Sequence, residues 1–117
     1  MGGSPSREKG KRGERELAVA LSTLLGQDCR RGQQFSGERG NADVVGVPGL
    51  HVECKRVEKL DLKSAMRQSR SDAPDGRVPV VCHRASHEPW LITLDLRDLP
   101  RLSRQIVELI SEGCDGL

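Results

Sequence analysis

Residues 42–56 have the sequence ADVVGVPGLHVECKR, and the predicted architecture is built around this segment. Two apolar segments flank a Pro-Gly pair, a pattern that predicts a β-hairpin with a tight turn. Side chains alternate along a strand, so the second strand presents three polar side chains on one face, those of His51, Glu53 and Lys55. On the first strand the same alternation groups Asp43 with Val45 and Val47. Asp43 and Glu53 can therefore lie on the same side of the hairpin, across the ladder from each other.

The segments on either side of the hairpin carry helical and strand patterns in turn. The predicted order is α-β-β-β-α-β-β-α, with helices at 13–25, 60–70 and 99–110 and strands at 28–35, 42–47, 50–56, 78–83 and 90–94. This order predicts a single α/β domain with a mixed central sheet flanked by helices. We expect residues 1–10, rich in Gly, Ser, Pro and basic side chains, to form a flexible lead-in. Residues 11–117 would then form the domain.

Composition excludes several classes of protein. The chain has 117 residues, enough for one domain, and it contains one Trp, one Phe and no Tyr. Stacking of bases on aromatic side chains is therefore not its main binding device. No apolar stretch approaches the roughly 20 residues that cross a bilayer. The four cysteines (Cys29, Cys54, Cys82 and Cys114) form no Cys-x-x-Cys pair. That spacing, with no secretory signal at the start, predicts reduced thiols in a cytoplasmic protein.

Charge is distributed unevenly along the chain, although the formal net charge is only +2. Basic residues crowd the first 15 positions and recur between residues 30 and 70. Such clusters are typical of proteins that bind polyanions, and they are equally typical of a solvated charged surface. The chemistry of the hairpin must decide between the two.

The polar face of the hairpin has the composition of a metal-dependent phosphodiesterase site. The carboxylates of Asp43 and Glu53, with the backbone carbonyl of Cys54, are hard oxygen ligands of the kind that Mg²⁺ prefers. Lys55 can orient the attacking water and stabilise charge that develops on the phosphate. Glu-x-Lys by itself is also common on the solvated side of a hairpin. Glu14, close to the apolar stripe of the first helix, supplies a third carboxylate and favours the catalytic interpretation.

These residues resemble a known family. The segment Lys9-Gly-Lys-Arg-Gly-Glu-Arg-Glu-Leu17, then Asp43, then Glu53-Cys-Lys55, looks like the PD-(D/E)xK nuclease superfamily, most like its archaeal-type and phage-type Holliday junction resolvases. The resemblance covers about residues 9–57, and Ala42 stands where the signature has proline. It implies a restriction-endonuclease-like fold in which the catalytic residues are Glu14, Asp43, Glu53 and Lys55, and the metal ligands are Glu14, Asp43, Glu53 and Cys54. It further implies Mg²⁺, replaceable by Mn²⁺, and a homodimer that cuts branched DNA symmetrically and leaves a 5′ phosphate.

The charge distribution and the resemblance together predict a set of DNA contacts: Arg12, Arg15, Arg30, Arg31, Arg56 and Gln68. The resolvases carry one arginine on the first strand, and the sequence does not distinguish Arg30 from Arg31 for that position. Gln68 resembles a glutamine that several superfamily branches place near the site, and it is equally an ordinary polar helix residue. His51 could be a neighbour of the metal, but a histidine at the end of a hairpin is more often exposed, and exposure is the expectation here. We expect Trp90 to pack at the edge of the sheet.

Several alternatives stay open at the level of sequence. The chain could be a general repair, nicking or DNA-processing endonuclease of the same fold, or a nucleic-acid-binding module without catalysis. An RNA-associated basic domain is disfavoured because no aromatic pair is present to read RNA. The number of metal ions, the exact DNA substrate and the dimer surface are open as well. For that surface, the last strand or the final helix would supply the apolar area.

Overall fold

The computed structural model of the chain describes residues 5–32 and 42–114. Its strands are β1 (Arg30–Arg31), β2 (Val44–Val45), β3 (Leu50–Arg56), β4 (Val78–Arg84) and β5 (Leu91–Leu94). Its helices are α1 (Pro5–Leu25), α2 (Leu62–Asp72) and α3 (Leu99–Cys114), with a 3-10 turn at Leu96–Asp98. The described elements follow the predicted order, and none of these helices is both long and apolar enough to cross a membrane.

One mixed sheet organises the molecule, with its strands in the spatial order β1-β2-β3-β4-β5. The pairs β1–β2, β2–β3 and β4–β5 are antiparallel, whereas β3 and β4 are parallel. Parallel neighbours need a crossover connection, which α2 provides. The predicted fold class, an α/β domain with a mixed sheet flanked by helices, is confirmed.

Helices cover both faces of the central strand β3. On one face, Leu17 of α1 and Leu109 of α3 pack with Val52 of β3 in the main apolar core. On the other face, Ala65 and Met66 of α2 pack against Val81 of β4 in a second cluster. Because β3 lies between these layers, side chains on both of its faces are removed from water.

The hairpin departs from simple alternation at its turn. Val47 was expected to share a face with Asp43, but it packs in the main core with Val44. Gly46 has φ 111°, and a Cβ at this position would lie 2.4 Å from the Asp28 carbonyl oxygen. This glycine conformation rotates the chain, so the side chains before and after Gly46 do not keep a period of two.

The largest differences from the predicted boundaries are at the start of α1 and in the lengths of β1 and β2. Helix α1 begins at Pro5 and not at Gly13, so helix extends into the segment 1–10 that was predicted to be a flexible lead-in. Proline at the first helical position and the following run of Glu, Lys and Arg favour this early start. Strand β1 has only two residues, because its partner β2 is equally short. Residues 33–35 of the predicted strand 28–35, and the loop at residues 36–40, lie outside the described residues.

Candidate active site

The hairpin brings Asp43 and Glu53 into contact. Val44 pairs with Val52, and the backbone N–H of Asp43 donates to the Val52 carbonyl at 2.9 Å. The two carboxyl groups are hydrogen-bonded to each other, and the backbone N–H of Cys54 donates to Asp43 Oδ2 at 2.8 Å. Asp43 is 9% exposed and Glu53 is 5% exposed. The structure thus creates a buried pair of acids at the centre of the sheet.

Burial and mutual repulsion control the charge of this pair. Desolvation, the charge of Glu53 and a hydrogen bond to Glu53 raise the pKa of Asp43 to about 7, with Glu14 adding to the shift, whereas the Cys54 N–H opposes it. Two carboxylates this close keep one proton between them unless a cation neutralises them. The pair is therefore a place where a divalent cation could replace a proton.

His51 belongs to the same buried network. Its side chain is 1% exposed, and its Nε2 lies 3.0 Å from Glu53 Oε1. The expectation of an exposed histidine at the hairpin end was wrong, because β3 is covered by helices on both faces. The alternation along β3, which already grouped His51 with Glu53, was the sequence signal that could have identified this partner.

Glu14 approaches the pair from α1. Its charge contributes to the raised pKa of Asp43, and its Oε2 accepts a hydrogen bond of 2.6 Å from Arg31 Nε. The helix lies unusually close to β3 here, since a Cβ on Gly13 would be 2.6 Å from the Cβ of Arg56. In the described ranges no three Asp, Glu, His or Cys side chains form a group that could hold a metal ion. Glu14 is thus an electrostatic neighbour of an acid pair.

Lys55 and Cys54 follow the pair along β3. Lys55 is half-buried, and alternation places it on the face that carries Glu53. Burial raises the pKa of the Cys54 thiol, and the charges of Asp43 and Glu14 raise it further. The thiol therefore stays protonated, and the group that Cys54 can offer to a hard cation is its backbone carbonyl.

The side chains predicted to contact DNA fall into two groups. Arg12, Arg15, Arg30 and Gln68 are exposed. Arg31 and Arg56 are bound within the protein, Arg31 by Glu14 and Arg56 by Glu16 at 3.8 Å. The structure therefore separates Arg30, which faces solvent, from Arg31, which holds a carboxylate of the site.

Comparison with solved structures finds a resolvase with this architecture. The chain is similar to Hjc, a Holliday junction resolvase from the archaeal hyperthermophile Archaeoglobus fulgidus, with a TM-score of 0.51 and 20% sequence identity. The match covers 71% of this chain and 74% of that chain. A scan against protein-family models finds no match, and neither does a sequence search of curated proteins. At this identity the similarity establishes a common fold.

Proposed function

We propose that this protein is a Mg²⁺-dependent endonuclease that hydrolyses phosphodiesters in branched DNA, with the four-way Holliday junction as its substrate. The observation that carries the proposal is the buried Asp43–Glu53 pair on the central hairpin of a fold found in a Holliday junction resolvase. A buried pair of like charges is costly for a protein that has no use for it. A cation site explains why both acids are present.

The donor set fits Mg²⁺. Two carboxylates and a backbone carbonyl, those of Asp43, Glu53 and Cys54, are oxygen ligands, and Mg²⁺ commonly binds proteins through one or two carboxylates while it keeps several waters. Glu14 is the candidate for a further carboxylate contact, direct or through water. When bound, Mg²⁺ would polarise the scissile phosphate and lower the pKa of a coordinated water; Mn²⁺ can substitute for it.

The surrounding residues would prepare this site. His51 holds the Glu53 carboxylate in place through its 3.0 Å hydrogen bond, and Arg31 does the same for Glu14. Lys55, on the face of Glu53, would orient the attacking water and stabilise negative charge on the phosphate in the transition state. The product would carry a 5′ phosphate, as the resemblance to the nuclease superfamily implies.

A two-fold homodimer is part of the proposal, because a symmetric junction is resolved by two cuts in opposed strands. Exposed apolar side chains support this assembly. The helix α3 carries Leu99, Val107 and Ile110 along one exposed flank, and Leu91 and Ile92 are exposed on β5. A row of exposed apolar side chains along a helix is typical of a surface that contacts another protein.

The proposal also places the protein in the cytoplasm, with DNA recombination or repair as its role. Cys29, Cys54 and Cys82 are free thiols in the described part of the chain. Cys54 and Cys82 are direct neighbours across the parallel strands β3 and β4, yet they are not bonded. Reduced cysteines are in keeping with a reducing compartment.

Cleavage of defined substrates tests the proposal. Purified protein would be incubated with Mg²⁺ and labelled four-way junction, Y-form, nicked duplex or linear duplex. We expect symmetric cuts in the junction, and loss of cleavage with retained DNA binding for Asp43→Asn or Glu53→Gln. The matched control is Asp75→Asn, which changes an exposed acid in the loop after α2.

The substrates also separate the alternatives. Equal cleavage of nicked or linear duplex would favour a general repair or nicking endonuclease. Binding without cleavage of any substrate would mean a nucleic-acid-binding module and would refute the catalytic proposal. Unchanged cleavage by Asp43→Asn would show that the acid pair is not the active site.

A further inference from the structure

The outward side of α2 carries no carboxylate between the two ends of the helix. Asp61 precedes the helix and caps it, accepting from the Ser64 N–H, and Asp72 is its last residue. Between them the exposed residues are all basic, hydroxyl or amide side chains: Lys63, Ser64, Arg67, Gln68, Arg70 and Ser71. We call this set the α2 polar surface. Arg70 belongs to it, but its guanidinium is held by Asp95 through three hydrogen bonds of 2.7 to 3.1 Å.

This surface lies on the face of the sheet that carries the acid pair. Glu53 and Val81 are paired residues of the parallel strands β3 and β4, so their side chains project on the same face. Val81 packs against Ala65 and Met66, which form the inward side of α2. Neighbouring strands are about 4.8 Å apart, so α2 is seated one strand away from Glu53.

The orientation of α2 brings one flank of this surface toward the site. Residues two apart are separated by about 160° around a helix, so Gln68 and Arg70 lie on opposite flanks. Arg70 reaches Asp95, which follows the edge strand β5. Gln68 therefore lies on the flank toward β3, whereas Lys63 and Arg67 line a groove with Arg70 and Asp95 on the flank toward β5. The surface extends from the neighbourhood of the acid pair across the outside of the helix.

Helix α3 provides the contrast. It packs on the opposite face of the sheet, and its exposed residues include the acid Glu108 four positions after Arg104. Its charges are mixed, as on an ordinary solvated surface. An exposed helix surface without acids is therefore a property of α2 and not a general feature of the chain.

We propose that α2 binds the sugar–phosphate backbone of a DNA duplex arm next to the cleavage site, with Lys63 and Arg67 as phosphate contacts and Ser64, Gln68 and Ser71 as hydrogen-bonding partners. Lysine, arginine, hydroxyl and amide side chains are the usual donors to DNA phosphates, and such contacts fix the position of a protein on the duplex without reading its sequence. The assignment rests on the proposed nuclease function and adds residues that the sequence analysis did not select, apart from Gln68.

Salt dependence of DNA binding tests this assignment without cleavage. Affinity for a junction and for one duplex arm would be measured in EDTA over a range of salt concentrations for wild type, Arg67→Ala, Lys63→Ala/Arg67→Ala and Arg104→Ala. Each lost phosphate contact reduces the slope of log K against log salt by about 0.9, so the double variant should lose about 2. Arg67→Lys should keep the wild-type slope. Arg104→Ala, the matched exposed arginine on the other face, should also leave the slope unchanged.

The outcomes separate this proposal from the one it rests on. If wild type binds and cleaves DNA, but Arg67→Ala and the double variant have the same slope as Arg104→Ala, the α2 assignment is wrong and the nuclease proposal stands. If wild type binds no DNA at low salt, both proposals are refuted. Circular dichroism of each variant would verify folding, which substitution of these exposed side chains should not disturb.

Discussion

Asp43 should make the metal-free protein less stable as the pH rises. Desolvation and the charge of Glu53 raise the pKa of Asp43 from 3.8 to about 7. The folded chain therefore retains this proton over a pH range in which the unfolded chain has released it. Because proton release and folding are linked, the free energy of unfolding falls between about pH 4 and about pH 7. Above this range Asp43 adds no further pH dependence to the stability. Because a pKa change of one corresponds to about 1.4 kcal/mol, full ionisation of Asp43 costs the fold about 4 kcal/mol.

Asp43→Asn is the perturbation that isolates this effect. The amide cannot ionise, but its oxygen can still accept the Cys54 N–H, which donates to Asp43 at 2.8 Å. We expect the variant to be more stable than wild type at about pH 8 and to lose the part of the pH dependence that belongs to Asp43. Added Mg²⁺ should stabilise wild type at the higher pH, because an ion that binds only the folded chain shifts the equilibrium toward it. Mg²⁺ should stabilise the Asp43→Asn variant much less.

Urea unfolding in EDTA, followed by circular dichroism at about pH 5 and about pH 8, measures the difference. Titratable groups away from the acid pair behave alike in wild type and variant, so the change in the wild-type-minus-variant difference reports on the coupled Asp43–Glu53 pair. Asp75→Asn, at an exposed position, should behave as wild type does. If wild type and Asp43→Asn lose equal stability between the two pH values, the two carboxyl groups do not share a buried contact and the reasoning fails.

Substitutions at three further positions, with a control at Gly10, test the surroundings of the pair. Lys55→Ala should retain Mg²⁺ binding, which calorimetry would measure. Its single-turnover cleavage rate should fall by at least about 10²-fold, which corresponds to about 3 kcal/mol in the transition state. A wild-type cleavage rate would show that the active lysine lies elsewhere. His51→Gln should keep more Mg²⁺ affinity than His51→Leu, because the glutamine amide can still donate to the Glu53 carboxylate. Equal affinities of the two variants would show that His51 does not position Glu53. Gly13→Ala should destabilise the fold by about 1–3 kcal/mol in urea unfolding, because its Cβ would meet Arg56. Gly10→Ala should instead stabilise the fold by up to about 1 kcal/mol, because the space around Gly10 is open. Equal effects of Gly13→Ala and Gly10→Ala would show that α1 does not approach β3 closely at Gly13.

Sequence patterns were sufficient to predict the features that depend on neighbours along the chain. Alternation along β3 and the short turn at residues 48–49 were enough to predict the hairpin and to group Asp43 with Glu53. These predictions succeed because strand alternation and turn length are local properties. The same rule placed Val47 on the wrong face, because a glycine at positive φ interrupts the period of two within one residue.

The way in which distant segments complete the site depends on packing that local sequence patterns do not encode. The hydrogen bond between Arg31 and Glu14 joins residues 17 positions apart, and which of two adjacent arginines makes it depends on how α1 crosses the sheet. The burial of His51 requires an element packed over the face of β3 that carries it, which no pattern within the hairpin reveals. The position of α2 beside Glu53 follows from the parallel pairing of β3 with β4. Contacts of this kind are set by the packing of whole elements, and that packing is a property of the assembled core.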